Sequence, residues 1–242
     1  NIAPVVYFHK KDPKSVQLEV SEYVINSRRR KGETLGNGIH EQFVHLLKQI
    51  STAIKDKHNL PASWISGFYG SGKSSFAKLL GLSLDKLQLP DGTLLSDNLL
   101  NRDDTPYADE FKEAWYNLTK DIDTMSVVFD IGAMAKPNEQ IPITIYREVL
   151  KRLGYSSHDQ IAHFEQILEN ENMYTNFIEL YKQAFGKVWH SEKDSPLATI
   201  EFSKIYSNMF PDIYKEPLSW FNTHINDPTI TQKDIRNVVV GI

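Results

Sequence analysis

One stretch of the sequence decides the expected fold, and it reads Gly67-Phe68-Tyr69-Gly70-Ser71-Gly72-Lys73-Ser74. The stretch matches the pattern of a glycine, four further residues and then Gly-Lys-Ser or Gly-Lys-Thr. Its three glycines allow backbone angles that side chains disfavour, so the amide N–H groups can turn inward around an anion. The pattern therefore predicts a loop that holds the phosphate groups of a nucleotide.

The residues that end the loop carry the expected chemistry. Lys73 can reach the β and γ phosphates of a nucleoside triphosphate, and the Ser74 hydroxyl can complete the coordination of a magnesium ion. Lys73 also opens the following helix, whose positive end adds to the attraction for phosphate. We therefore expect ATP and Mg²⁺ as cofactors, with Ser74 as the metal ligand. The expected nucleotide-binding residues are Gly67, Phe68, Tyr69, Gly70, Ser71, Gly72, Lys73, Ser74 and Ser75.

The segments around the loop favour this interpretation over a chance match. Residues 63–66 form a short apolar segment of strand character, and residues 73–82 resume helical spacing. Upstream, apolar residues recur at three- and four-residue steps over 39–54, which predicts an amphipathic helix. Downstream, residues 125–131 are predicted as a second strand and residues 141–153 as a helix. This alternation predicts an α/β fold, a parallel sheet flanked by helices around a phosphate-binding loop, with an added helical subdomain.

The remaining segments are assigned from their composition and spacing. Residues 5–8 and 16–24 alternate apolar and polar positions, which predicts one or two short strands. Residues 91–107 are polar and rich in Asp, Asn and Pro, so we expect a long surface connection there, followed by a helix over 108–119. Residues 157–221 show helical spacing with aromatic anchors and are predicted as a helical insertion or subdomain.

These assignments divide the chain into three parts. We expect N-terminal strands and a linker over 1–38, a nucleotide-binding core over 39–155, and a mostly helical subdomain over 156–242. The chain begins without methionine, and its last residues, 237–242, form an apolar run that predicts an approach to a further strand. We therefore expect this sequence to be a piece of a larger protein.

Composition excludes several classes of protein. The chain has 242 residues, no cysteine and a formal net charge of −4, so disulfides and thiolate metal sites are ruled out and no overall attraction to nucleic acid is expected. No run of about 18 apolar residues occurs, so we expect a cytoplasmic protein that does not contact membranes. The one basic run, Arg28-Arg29-Arg30-Lys31, fits a solvated turn or helix end, with contact to nucleic acid or a partner as the alternative.

Catalysis needs groups that the sequence marks less clearly. Asp130 follows the second predicted strand and is a candidate to hold the magnesium shell, with a polar strand-end residue as the alternative. The next residue is Ile131 and not Glu, so the adjacent carboxylate that would orient water is absent. The sequence identifies no arginine finger, the residue that would stabilise the transferred phosphoryl group. The candidates are Arg102, Arg147, Arg152 and Arg236.

Histidine and tryptophan positions favour structural roles. His40 and His45 are five residues apart, as are His158 and His163, a spacing that places the two rings off a common helical face. We expect core or surface histidines and no metal site. Trp64, just before the loop, is predicted to pack in a strand rather than to stack on a base.

The segment around the loop resembles the nucleotide loop of the large ATPases of BREX-type bacteriophage-exclusion systems. Its sequence is Ala62-Ser63-Trp64-Ile65-Ser66-Gly67-Phe68-Tyr69-Gly70-Ser71-Gly72-Lys73-Ser74-Ser75-Phe76-Ala77-Lys78. A second segment also resembles this family: the predicted strand Val127–Ile131 is followed by a helix that ends in Lys151-Arg152-Leu153-Gly154-Tyr155. Together they cover about residues 60–155. The sequence departs from the family at Ser75-Phe76, where relatives often carry a histidine, so a neighbouring group of defence ATPases is an equal alternative.

The resemblance implies an AAA-like or STAND-like ATPase module of a large bacterial defence protein. In that family the acidic magnesium-shell strand comes much later than the counterpart of Asp130, which implies that this chain stops before its own acidic pair. DNA, other defence-system proteins and further copies of the chain are the implied partners. The resemblance thus predicts a module that couples its nucleotide state to the engagement of DNA or a partner protein.

Two other functions share the same loop. A small-molecule or nucleotide phosphotransferase would need a compact acceptor pocket and arginines over the phosphates, and the sparse arginines of the helical part argue against it. A binding module that never hydrolyses ATP is the second alternative, and the missing Asp-Glu pair is compatible with it. Phosphate release separates hydrolysis from binding alone, and ADP formation that depends on an added acceptor would identify a phosphotransferase.

Overall fold

The structure is a computed structural model that describes residues 6, 8, 10–30, 33, 36–56, 63–213 and 215–216. Within these residues the chain is helical and divides into two compact units, Asn1–Asp130 and Ile131–Ile242. This boundary falls inside the range 39–155, and the three-part division stays a prediction. The helices are α1 Pro13–Glu22, α2 Ile39–Lys55, α3 Lys73–Leu84, α4 Leu95–Asn101, α5 Ala108–Thr119, α6 Ile131–Met134, α7 Ile141–Leu153, α8 Asp159–Asn170, α9 Tyr174–Phe185, α10 Trp189–Glu192 and α11 Ala198–Met209.

The predicted parallel sheet is wrong for the described residues. They contain no sheet, only two isolated bridges, one between Ile25 and Asp103 and one between Gln88 and Leu94. Residues 63–67 and 122–130 are irregular. A strand is stable only when a neighbouring strand pairs its backbone groups and its apolar face is covered. Neither condition holds at residues 63–66, so the α/β assignment fails there.

The N-terminal strand prediction is also wrong, because residues 13–22 form α1. Pro13 occupies the first turn, and the Asp12 side chain accepts a hydrogen bond from the backbone N–H of Ser15 at 3.1 Å. Proline in the first turn and an aspartate cap are helix-start signals. Val16 and Val20 lie four residues apart on the buried face. The predicted strand at 5–8 lies largely outside the described residues.

The first unit is held together where α2 meets α3 and α5. Phe43 of α2 is fully buried and stacks on Phe76 of α3, with ring centroids 4.1 Å apart, and on Phe111 of α5 at 4.9 Å. The predicted surface connection at 91–107 is wrong over residues 95–101, which form α4. Leu95 and Leu99, four residues apart, are fully buried in the same core.

The helices of the second unit pack around aromatic side chains, as the aromatic anchors of residues 157–221 predicted. Trp189 is fully buried, and its ring lies edge-on to Phe177 at 5.2 Å. Its indole N–H donates to the buried carboxylate of Glu165 at 2.7 Å. The predicted segment 218–221 and the expected strand near residue 238 lie outside the described residues. None of the described helices combines the length and the apolar character needed to cross a bilayer.

Candidate phosphate-binding site

The backbone of the predicted phosphate loop turns on two glycines. Gly70 has φ +77° and Gly72 has φ +80°, in the left-handed region that side chains disfavour. Helix α3 then begins at Lys73, and Gly72 is its N-cap without any side-chain hydrogen bond. The first N–H groups of a helix have no intrahelical acceptor. The start of α3 therefore presents backbone donors that a bound anion can satisfy.

The Lys73 ammonium group lies within the loop that precedes it. It donates to the carbonyl oxygens of Gly67 at 3.0 Å and Phe68 at 2.7 Å, and it lies 3.4 Å from the hydroxyl of Ser71. These contacts hold a positive charge beside the start of α3. An anion at that helix end would therefore meet both backbone donors and an ammonium group.

Helix α3 is fixed to the rest of the first unit on its buried face. Phe76, three residues after Lys73, stacks on Phe43. Lys78 is buried and forms a 2.8 Å ion pair with Glu19 of α1, whose side chain is also largely buried. The loop is therefore attached to a helix that two independent contacts hold in place.

A cavity of about 800 Å³ opens beside the loop. Its walls come from the loop, from the extended segment before α2 and from one face of α2. A volume of this size is in the range of small-molecule and cofactor sites. Its lining residues are Tyr23, Asn26, Arg28, Asn37, Gly38, Ile39, Gln42, His45, Leu46, Gln49, residues 63–68, residues 71–73 and Phe76.

The charge of this lining is uneven. Arg28 and Lys73 are the cationic residues among the lining positions, and none of the lining positions is Asp or Glu. The whole chain, by contrast, carries an excess of acidic residues, with a net charge of −4. Low-dielectric walls with one sign of charge concentrate ions of the opposite sign. The cavity is therefore suited to an anionic ligand.

The segment before α2 is shaped by Glu41, which is buried in the first turn of that helix. One carboxylate oxygen accepts hydrogen bonds from the backbone N–H of Gly38 at 2.8 Å and of Arg28 at 3.2 Å, and the other accepts from the Ser27 hydroxyl. Burial alone would raise the pKa of Glu41, but these hydrogen bonds outweigh it and lower the pKa below its usual value. Glu41 thus remains ionised while it fixes the cavity wall.

A second cluster of polar side chains lies next to that wall. Nδ1 of His40 is 2.6 Å from Oδ2 of Asp103, and both side chains are fully buried. Arg29 forms two hydrogen bonds to Glu110, at 2.8 and 2.9 Å, and its guanidinium lies 4.0 Å from the ring centre of Tyr107. These contacts join Arg29 and His40 to Asp103, Tyr107 and Glu110. His40 is therefore a core histidine with a polar partner.

The structure places at the cavity residues that the sequence did not assign to nucleotide binding. Gln42, His45 and Gln49 of α2 line the cavity, and the first and last are seven residues apart on one helical face. The sequence of α2 shows a polar face opposite its apolar face. Its position facing the loop depends on the packing of α2 against α3, which local patterns do not reveal.

The other predicted binding residues are placed differently. Phe68 and Tyr69 are 91% and 95% exposed, and Ser74 is exposed at the start of α3. Trp64 is 92% exposed and lines the cavity, so its predicted packing within a strand is wrong. The role of Ser74 as a magnesium ligand stays a prediction. Ser75 is half-buried in the first turn of α3.

The candidate catalytic residues lie elsewhere. Asp130 is exposed at the end of the first unit and does not line the cavity. Arg102 donates from Nε to the carbonyl oxygen of Tyr23 at 2.8 Å, and Arg147 is buried against Glu139. Both arginines therefore have structural partners. Arg152 is exposed on α7, and Arg236 lies outside the described residues.

No group of three or more His, Asp or Glu side chains suited to a metal ion occurs among the residues that the structure describes. No protein-family model matches this chain, and no solved structure matches it.

Proposed function

We propose that this chain binds a nucleoside triphosphate, as its magnesium complex, in the cavity beside residues 67–75. The observation that carries the proposal is the combination of an ammonium group, free helix N–H groups and two left-handed glycines at one edge of a cavity without acidic lining residues. Each of these features favours a multiply charged anion. ATP is the proposed ligand, as expected from the sequence of the loop.

The distribution of lining residues supports an orientation for the nucleotide. The phosphates would occupy the loop side, where Lys73 and the start of α3 supply donors. The nucleoside would extend along α2, where Gln42, His45 and Gln49 offer amide and imidazole groups for hydrogen bonds. A nucleotide placed in this way makes charged contacts at one end and neutral polar contacts at the other.

Binding without rapid hydrolysis is the activity proposed for the isolated chain. Hydrolysis requires a carboxylate or an equivalent group to orient water and to support the metal shell. None of the described residues that line the cavity is acidic. We expect phosphate release to be slow until another part of a larger assembly supplies that group. The role in bacteriophage defence and the DNA or protein partners stay predictions from the resemblance.

A phosphotransferase is disfavoured by the arginines. Such an enzyme gathers arginines over the phosphates that it transfers. Of the described arginines, Arg28 lines the cavity, whereas Arg29, Arg102 and Arg147 are bound to protein partners. One cavity-lining arginine fits an anion-binding site better than a transfer site.

Calorimetric titration with ATP in the presence of magnesium tests the proposal. The wild-type chain is compared with Lys73→Ala and with Lys112→Ala, a matched control because Lys112 is exposed on α5 and does not line the cavity. A charge-assisted hydrogen bond contributes about 1.5–3 kcal/mol, so we expect Lys73→Ala to weaken binding about 10- to 100-fold. Lys112→Ala should remain within about twofold of the wild type. Failure of the wild-type chain to bind any nucleotide would refute the proposal.

A further inference from the structure

We infer that Arg28 is a second phosphate-contacting residue of this site, unlike Arg29 and Arg30 of the same basic run. The inference rests on the proposed function, because it names a further residue that would contact the same nucleotide. The sequence singles out no member of the run, since all its residues are basic and adjacent.

The contacts of the run distinguish its members. Arg29 is occupied by Glu110 and by the face of Tyr107. Arg30 is exposed and does not line the cavity. Arg28 lines the cavity, and within the described part of the chain its guanidinium group has no hydrogen bond or ion pair. An arginine whose five donors are unused in the wall of a cavity is available to a ligand.

The backbone at Arg28 is held in place before any ligand arrives. Its N–H donates to Glu41 at 3.2 Å. Two residues earlier, the side chain of Asn26 accepts from the N–H of Ile39 at 3.1 Å, and its carbonyl oxygen accepts from the N–H of His40 at 3.0 Å. These bonds join residues 26–28 to the start of α2. A residue that is positioned in advance loses less conformational freedom when it binds.

The charge environment selects phosphate as the group that Arg28 would contact. The other cationic residue of the cavity wall is Lys73, in the phosphate loop, and no lining position is acidic. The planar guanidinium presents paired N–H donors that match two phosphate oxygens. Arg28 and Lys73 would therefore contact the polyphosphate from different walls of one cavity.

ATP affinities of Arg28→Gln, Arg28→Lys and Arg30→Gln, measured by calorimetry with magnesium, test the inference. Both glutamine variants remove one positive charge from exposed positions two residues apart, so Arg30→Gln controls for a general loss of charge. The glutamine replacement at residue 28 keeps the backbone N–H that binds Glu41, and thermal unfolding of each variant checks the fold. We expect Arg28→Gln to weaken ATP binding about 10- to 100-fold and Arg30→Gln to stay within about twofold. Arg28→Lys should recover part of the loss, because it restores the charge without the paired donors.

The outcomes separate this inference from the proposed function. If Lys73→Ala weakens binding but Arg28→Gln does not, the assignment of Arg28 is wrong while the proposed site stands. Equal losses for Arg28→Gln and Arg30→Gln would also overturn it, because they would show an effect of distant charge and not of contact. If the wild-type chain binds no nucleotide, both the site and the role of Arg28 are refuted.

Discussion

Replacement of Phe43 by alanine should destabilise the first unit severely. Phe43 is fully buried at the point where α2, α3 and α5 meet, between the rings of Phe76 at 4.1 Å and Phe111 at 4.9 Å. Truncation of a buried phenylalanine costs about 3–5 kcal/mol, and the loss of two stacked partners places this site in the upper half of that range. We expect the free energy of unfolding to fall by about 4–5 kcal/mol, a large part of the stability of a typical domain.

Urea unfolding followed by far-ultraviolet circular dichroism measures this loss. With a slope of about 2 kcal/mol per molar urea, the midpoint of the first unit should fall by about 2 M. Phe68→Ala is the matched control, because it deletes the same side chain from a residue that is 91% exposed. It should change the free energy of unfolding by less than about 0.5 kcal/mol. A loss below about 1 kcal/mol for Phe43→Ala, or equal losses for the two variants, would refute this account of the core.

Two further predictions concern a buried carboxylate and a loop glycine. Burial raises the pKa of Glu139, but hydrogen bonds from Arg147, Thr144 and the Lys136 N–H outweigh it and lower the pKa to about 2. This contribution to stability is present above the unfolded pKa near 4.5 and is lost as pH falls towards 2, so Glu139→Gln should flatten the acid side of the stability profile of the second unit in thermal unfolding. Gly72→Ala places a side chain at φ +80°, which costs about 1–2 kcal/mol of stability and should weaken ATP binding, whereas unchanged melting and affinity would contradict the need for glycine there.

Helical periodicity predicted much of the fold. The apolar spacing over 39–54 matches α2 at Ile39–Lys55, and α5 and α7 begin and end where the patterns indicated. Gly154 ends α7 in the left-handed conformation, as is typical of a glycine just after a helix. These segments were predictable because each carries an amphipathic period, so local preference and tertiary packing agree.

The strand predictions failed for different reasons, and at residues 63–66 the apolar segment is too short to show a helical or strand period. Residues 63–66 contain two apolar side chains, and of these Trp64 is 92% and Ile65 42% exposed. Near the N-terminus, alternating apolar residues suggested strands, but the Asp12 cap and Pro13 start a helix. Asp12 and Pro13 together predict α1, because both are specific helix-start signals.

The loop of the candidate site was predictable, and the opposite wall was not. The glycines and Lys73 are adjacent in sequence, so their arrangement follows from local backbone geometry. Arg28 and the polar face of α2 reach the cavity through contacts between distant residues, such as Phe43 with Phe76. Such contacts depend on how helices pack, which the spacing within one helix does not determine.

Gly81 allows a close contact between α3 and Val128. A side-chain carbon added at Gly81 would lie 2.4 Å from Cγ2 of Val128, so the segment that contains Val128 rests directly on the helix backbone. Helix α3 has twelve residues and is about 18 Å long, with the phosphate loop at one end and the contact with Val128 near the other. A side chain at residue 81 would therefore force Val128 away from α3, so this close contact requires glycine. Val128 lies two residues before the first unit ends at Asp130, so this contact is close in sequence to the boundary between the two units.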